Sequence, residues 1–198
     1  MILTMTSNRL RPWAIASALA LCSFSFVACT TTSPDGRTGI ASSKSSIDTR
    51  ADDTLARLYS EVPGAREIGA TAKGILVFPA VVGASYVVGA EYGRGVLRSS
   101  DAARRYYSAA IGSVGWQVGA QSKAIVYMFT TIEALDHFRN SKGWTAGVDA
   151  TVAVANVGAN GRIDTTSLRQ PVVSFVMANA GLDVGASVQG MKITELQL

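Results

Sequence analysis

The spacing of apolar residues changes from helical to alternating about a third of the way along the chain. Between residues 47 and 62, large apolar side chains recur every three or four positions, which predicts a helix with one buried face. These positions are Ile47, Ala51, Leu55, Leu58, Tyr59 and Val62. Pro63 and Gly64 end this helix, and a second, short helix is predicted over residues 65–72.

Strand patterns begin at Ile75. The apolar run from Ile75 to Phe78 predicts a buried strand that Pro79 stops. Residues 86–90 and 95–98 flank a glycine-rich segment, which predicts a hairpin with Arg94 projecting from its turn. Further strands are predicted at residues 104–110, 113–120, 124–130, 148–154, 172–177 and 182–188, the first two of them paired through a turn near Gly112.

One helix interrupts the strands, capped by Thr131 and burying Ile132, Leu135 and Phe138. Short turns between strands favour antiparallel pairing, because parallel neighbours need long crossover connections. The predicted fold is therefore α+β. It has a curved, mainly antiparallel β-sheet, as a sandwich or a partly closed barrel, with two N-terminal helices and one inserted helix.

Residues 1–28 are typical of an export signal. Arg9 and Arg11 precede an uncharged apolar stretch from Trp13 to Val27, which is shorter than the roughly 20 residues that span a bilayer. An export signal is therefore favoured over a transmembrane anchor.

Ala28 followed by Cys29 resembles a bacterial lipobox. The resemblance implies that Cys29 receives a diacylglyceryl group, becomes the new N-terminus and is N-acylated, for example with palmitate. Ordinary cleavage would instead leave Cys29 as a free thiol, without a partner because Cys22 is removed with the signal. Thr30 after the cysteine, by resemblance to Gram-negative lipoproteins, implies a lipid anchor in the cell envelope, at the periplasmic face of the outer membrane.

Residues 29–46 are rich in Ser, Thr and Gly and hold almost no large apolar side chain. Such a composition cannot offset its ordering entropy by burial, so it predicts a flexible tether. The folded domain is then predicted to span residues 47–198.

Composition excludes some functions. Removal of the signal leaves 16 basic and 14 acidic residues, a net charge of +2, which argues against nucleic acid as a partner. The single histidine, His137, is predicted on a helix surface, with no cysteine–histidine or metal-ligand cluster around it. We therefore expect no enzyme activity, no metal and no cofactor.

Several motifs from Leu55 onward resemble the SYLF domain, a lipid-binding module of bacterial lipoproteins and of eukaryotic trafficking and actin-associated proteins. The likeness covers about 140 residues. It rests on residues 63–66 (PGAR), 72–79 (AKGILVFP), 88–89 (VG), 93–97 (GRGVL), 115–121 (GWQVGAQ), 133–138 (EALDHF) and 180–190 (AGLDVGASVQG). The Trp-Ser-x-Pro segment of eukaryotic members has no proline here near Tyr107 and Ser108, which argues against a transfer of actin binding.

The resemblance implies binding of membrane phospholipid, with anionic headgroups of the phosphoinositide type among the candidates. Basic residues next to apolar ones could dock on such a surface. They are Arg57, Arg66, Lys73, Arg94, Arg104 and Arg105. Alternatively these charges are simply solvated, and the domain is a structural or protein-interaction lipoprotein with an envelope protein as its partner. The sequence leaves open whether the first helix packs on the sheet or inserts into a bilayer.

Overall fold

The computed structural model describes residues 36–62, 64–85, 88–101, 103–114, 119–155, 163, 169–178, 181–182 and 187–198. The predicted signal peptide (1–28), Cys29 and the first part of the predicted tether lie outside these ranges. Contacts divide the chain into two units, Met1–Thr32 and Ser33–Leu198, and every described residue belongs to the second.

Three helices and nine strands lie within the described residues. The helices are α1 (Gly36–Glu61), α2 (Ala65–Thr71) and α3 (Ile132–Asn140). The strands are β1 (Gly74–Ser85), β2 (Val88–Ser99), β3 (Arg105–Val114), β4 (Gly119–Phe129), β5 (Trp144–Thr145), β6 (Val152–Val154), β7 (Val172–Ala178), β8 (Gly181–Leu182) and β9 (Lys192–Leu196).

The strands form one sheet in the order β5-β9-β3-β2-β1-β4-β7-β6, with β8 paired to β7. All the pairs are antiparallel except β6 with β7. The sheet curls into a half-barrel. The predicted α+β class with a curved, mainly antiparallel sheet is therefore confirmed.

Both faces of the sheet are buried in its central part. In β4, Ile125, Tyr127 and Phe129 join the core cluster that contains Phe138 of α3, while Val126 and Met128 join the cluster that contains α1 and α2. This alternation follows from the two-residue period of a strand. It explains why the strand reads as a continuous apolar run, because neither of its faces meets water.

A bulge in β1 overturns the prediction that Pro79 ends the strand. The pairing with β2 shifts between Val77 and Ala80, and the pairing with β4 shifts between Phe78 and Val81, so that β1 carries one extra residue. Proline has no N–H for a ladder hydrogen bond and is tolerated inside a sheet only at such a place. The strand therefore continues through Pro79 to Ser85.

The predicted hairpin turn around Arg94 is also wrong, because β2 runs unbroken through it. Gly93 and Gly95 serve close packing against the bulge instead. A Cβ atom on Gly93 would lie 2.8 Å from the carbonyl oxygen of Ala80, and one on Gly95 would lie 2.4 Å from that of Val77. Glycine is required at these places by the approach of a neighbouring backbone, and sequence alone does not separate this role from a turn.

The second predicted hairpin is wrong as well. Strand β3 continues through Gly112 and pairs with β2 and β9, while β4 pairs with β1 and β7. Residues 119–129 form one strand where two were predicted, and β9 was not predicted at all. Which strands pair with β3 and β4 depends on contacts between segments that are distant in sequence, and the local sequence pattern does not reveal these contacts.

Helix α3 confirms its predicted cap and most of its buried face. Thr131 Oγ1 accepts a hydrogen bond from the backbone N–H of Ala134 at 3.2 Å, and Leu135 and Phe138 are buried. Ile132 was expected to be buried with them but is 57% exposed.

Helix α1 begins earlier than the sequence suggests. It starts at Gly36, so residues 36–46 are helical where the composition predicts a flexible tether. Lys44 Nζ donates a hydrogen bond to the Leu198 carbonyl at 2.8 Å and lies 5.5 Å from the centre of the Tyr106 ring. These contacts come from distant parts of the chain, and most helical stability in proteins comes from such tertiary packing.

A pair of glycine substitutions tests the packing at the bulge. Gly95→Ala places a methyl group against the Val77 carbonyl and the Phe78 ring, so we expect it to destabilise the protein by about 2 kcal/mol. Gly112→Ala, also in a strand, meets nothing within 4 Å and should be neutral or stabilising by up to about 1 kcal/mol. Urea unfolding measures both, and equal effects would contradict the close approach of β1 to β2.

Candidate functional site

A groove lies between α1 and the part of the sheet beyond the bulge, with a volume of about 370 Å³. One wall comes from α1. Ser43, Ser46, Ile47 and Arg50 lie there at intervals of three and four residues, which places them on one side of a helix. This side adjoins the buried face of α1, to which Ile47 itself belongs.

The floor and the second wall come from β1 and β2. Pro79, Ala80 and Val82 contribute from β1, and Tyr92, Gly93 and Arg94 contribute from β2. Val82 and Tyr92 are cross-strand partners, and they are 54% and 45% exposed. Because neighbouring residues of a regular strand point to opposite faces, the extra residue at the bulge explains why Pro79 and Ala80 both line this groove.

The groove has a positive and apolar character. Arg50 and Arg94 are its charged side chains, and its described lining residues include no carboxylate. Neither arginine forms an ion pair with a carboxylate of the described residues. The contact between Arg94 Nε and the Tyr92 hydroxyl is long, at 3.5 Å, so most of the guanidinium's hydrogen-bonding capacity remains.

Asp48 fixes the position of α1 on the sheet. Its Oδ2 atom accepts hydrogen bonds from Arg104 Nη1 at 2.5 Å and from the Tyr106 hydroxyl at 3.2 Å. Arg98 Nη2 donates to the Asp48 carbonyl at 3.2 Å. The hydrogen bond between Arg104 and Asp48, together with the negative charge of Asp48, raises the pKa of Arg104.

Asp52 adds a second polar contact one turn further along α1. Arg98 Nη1 donates to Asp52 Oδ1 at 2.5 Å, and this hydrogen bond holds the pKa of Asp52 below its usual range. Asp52 is thus paired with Arg98, whereas the neighbouring Asp53 is exposed. The polar contacts of α1 with β2 and β3 thus orient Arg50 toward the groove.

The six cations predicted to bind lipid do not form one site. Arg57 donates to Glu61 Oε1 at 2.8 Å and to the Ala178 carbonyl at 2.7 Å, so it ties α1 to the end of β7. Arg66 of α2 is exposed and stacks 4.9 Å from the centre of the Tyr59 ring.

The other predicted cations are also distributed along the domain. Lys73 is exposed and directly precedes β1. Arg104 is paired with Asp48, and Arg105 lies 3.9 Å from Glu195 of β9. Only Arg94 of the six is among the described residues that line the groove.

Arg50 was not predicted as a binding residue. In the sequence it lies outside the apolar face of the first helix, where a lone arginine gives no indication of its neighbours. The available signal is its spacing from Ser43, Ser46 and Ile47, which repeats every three or four residues. That signal was lost because the helix was expected to begin at Ile47.

Other chemistry is sparse in the described part of the chain. His137 lies exposed on α3, as predicted, and Trp144 is buried in the core. Among the described residues, no three His, Cys, Asp or Glu side chains are grouped closely enough to hold a metal ion. Those residues also contain no helix that is both long and apolar enough to cross a membrane.

The fold and the groove define an α+β domain with a cationic, partly apolar surface cleft. Comparison with protein families assigns its C-terminal half. Residues 110–197 match the family Ysc84, described as Las17-binding protein actin regulator, and this match confirms the resemblance to the SYLF domain over those residues. The family is associated with lipid binding and actin regulation. No curated protein matches the chain.

The family match and the groove occupy different parts of the sequence. The match begins at Ala110 in β3 and ends at Gln197, after β9. The groove-lining residues fall between Ser43 and Arg94. The family match therefore covers β4 to β9 and the end of β3, and none of the described residues that line the groove falls within it.

Substitutions at two aspartates of α1 test its attachment to the sheet. Asp48→Ala removes the acceptor of Arg104 and Tyr106, and should lower the free energy of unfolding by about 2 kcal/mol. Asp53→Ala, in the same helix but exposed and unpaired among the described residues, should stay within about 0.5 kcal/mol. Urea unfolding compares them, and an equal effect would show that Asp48 does not hold the helix.

The lowered pKa of Asp52 predicts a dependence of stability on pH. Because the folded-state pKa lies below the unfolded value of about 3.9, the contribution is complete above that value and disappears as pH falls through the folded pKa. Asp52→Asn should thus reduce stability at pH 7, by no more than about 1 kcal/mol because the pair is exposed. Unfolding measured again near pH 2 should give a smaller difference from wild type, and a larger one would contradict the ion pair.

Proposed function

We propose that this domain binds anionic phospholipid at a bacterial envelope membrane without catalysing a reaction. The groove between α1 and the β1–β2 strands carries the proposal. It combines two arginines that have no carboxylate partner among the described residues with exposed apolar side chains at Val82 and Tyr92. A phospholipid offers the matching combination of an anionic phosphate and an apolar body.

The chemistry of the groove suits the boundary between a bilayer and water. Guanidinium groups form paired hydrogen bonds with phosphate oxygens, and a tyrosine places an apolar ring and a polar hydroxyl at the headgroup level. Each cation near an anionic membrane contributes about 1 kcal/mol. The association of the Ysc84 (SYLF) family with lipid binding supports the same function.

Acylated Cys29 would hold the groove close to the membrane. Seven residue steps separate Cys29 from Gly36, where α1 begins, and a fully extended chain spans about 25 Å over that distance. Ser43 lies about 10 Å further along the helix, at 1.5 Å per residue. Whatever the conformation of the intervening residues, Ser43, the first groove residue in the sequence, stays within roughly 35 Å of the anchoring atom, which would keep the groove near the membrane that carries the anchor.

Vesicle binding by residues 29–198 with Cys29→Ser, the predicted mature chain without acyl groups, tests the proposal. We expect binding to vesicles that contain anionic lipid, weakening as salt is added, and little binding to neutral vesicles. Arg50→Gln with Arg94→Gln should weaken the binding about 30-fold at low salt, since it removes two contributions of about 1 kcal/mol each.

A charge-matched control separates the groove from general electrostatic attraction. Arg66→Gln with Lys73→Gln removes the same charge from α2 and from the residue before β1, away from the bulge. We expect a loss below about fivefold for this variant, because only the long-range attraction is reduced. The absence of any binding of the unsubstituted protein to anionic vesicles at low salt would refute the proposed function.

A further inference from the structure

Resting on the proposed function, we propose that the groove binds one lipid phosphomonoester, a headgroup of the phosphatidate class. Its phosphate lies between Arg50 and Arg94, and its acyl chains lie outside the groove over Val82 and Tyr92. The ligand in this proposal is one lipid molecule bound in the groove, and general attraction to an anionic membrane surface is a different kind of binding.

The volume of the groove limits what can enter. A volume of about 370 Å³ lies at the lower end of the usual range for small-molecule pockets, which is about 300–1,000 Å³. This suits a glycerol phosphate unit and is small for two long acyl chains. The chains must therefore leave the groove, and the exposed side chains of Val82 and Tyr92 provide an apolar exit on the strand side.

The charge of the groove favours a monoester over a diester. A phosphomonoester carries about two negative charges near neutral pH, whereas a phosphodiester carries one. Arg50 and Arg94 supply two positive charges from two walls, one on a helix and one on a strand. A phosphate group in contact with both guanidinium groups would accept paired hydrogen bonds from each.

Small residues line the floor of the groove at the bulge. Ala80 and Gly93 lie in the floor next to Arg94, and a side chain at Gly93 would collide with the Ala80 carbonyl. Ser43 and Ser46 add hydroxyl groups on the α1 wall. The site therefore combines a small floor, polar walls and an apolar exit.

Calorimetric titration with lipids below their micelle concentrations tests the inference, again with residues 29–198 carrying Cys29→Ser. The probes are dihexanoyl phosphatidate, dihexanoyl phosphatidylglycerol and glycerol 3-phosphate. We expect phosphatidate to bind with one-to-one stoichiometry, about tenfold more tightly than either of the others.

A charge-conserving variant identifies the guanidinium groups as the binding elements. Arg50→Lys with Arg94→Lys keeps the net charge but loses the paired hydrogen bonds, so phosphatidate affinity should fall about tenfold. Binding to anionic vesicles should change less than about twofold, because it follows charge. An unchanged phosphatidate affinity would overturn the assignment of the site.

The remaining outcomes separate the inference from the proposed function. Vesicle binding without binding of any monomeric lipid overturns the inference and leaves the proposed function intact. Equal affinity for phosphatidate and phosphatidylglycerol overturns the phosphomonoester class. Glycerol 3-phosphate that binds as tightly as phosphatidate shows a site for a free phosphate compound and overturns the lipid assignment. Failure of both monomers and vesicles to bind refutes the inference and the proposed function together.

Discussion

Pro79 has no backbone N–H, so the central strand β1 can contain it only where the ladder is interrupted. The interruption adds one residue to β1 relative to both of its neighbours. It brings Pro79 and Ala80 to the same side and requires Gly93 and Gly95 on β2, where a Cβ atom would collide with β1. The floor of the groove and the position of Arg94 both depend on this local departure from regular pairing.

Helix α1 forms the remaining wall of the groove. Its apolar residues pack on the sheet, Asp52 binds Arg98 of β2, and Asp48 binds Arg104 directly before β3. Arg50 lies in the groove. In the structure the helix packs on the sheet. A helix that left the sheet for a bilayer would remove one wall, so binding in the groove and insertion of α1 exclude each other.

The sequence predicts the helices and strands that depend on local periodicity. It does not predict which strands pair, because contacts between distant segments determine the pairing. The buried side of α1, the cap at Thr131 and the strands around Ile75, Ala124 and Val172 are visible as patterns. The partners of β3 and β4 are not, because strand pairing depends on packing across the sheet.

The residues of the groove were predicted only in part for the same reason, since contacts between distant segments bring them together. Arg94 was selected for its charge, but in a turn, because Gly-Arg-Gly in isolation is typical of one. The packing that explains those glycines comes from Val77 and Ala80, more than ten residues away. Arg50 was missed because the early start of α1 depends on contacts such as that of Lys44 with Leu198, which composition does not reveal.

Binding of lipid phosphate in the groove over the bulge can be followed by NMR. The experiment records backbone amide spectra of residues 29–198 with Cys29→Ser during addition of dihexanoyl phosphatidate. We expect saturable shifts concentrated at Ser46, Arg50, Val82, Gly93 and Arg94. Shifts concentrated instead on α3 and β9, with these five amides unchanged, would contradict binding in the groove.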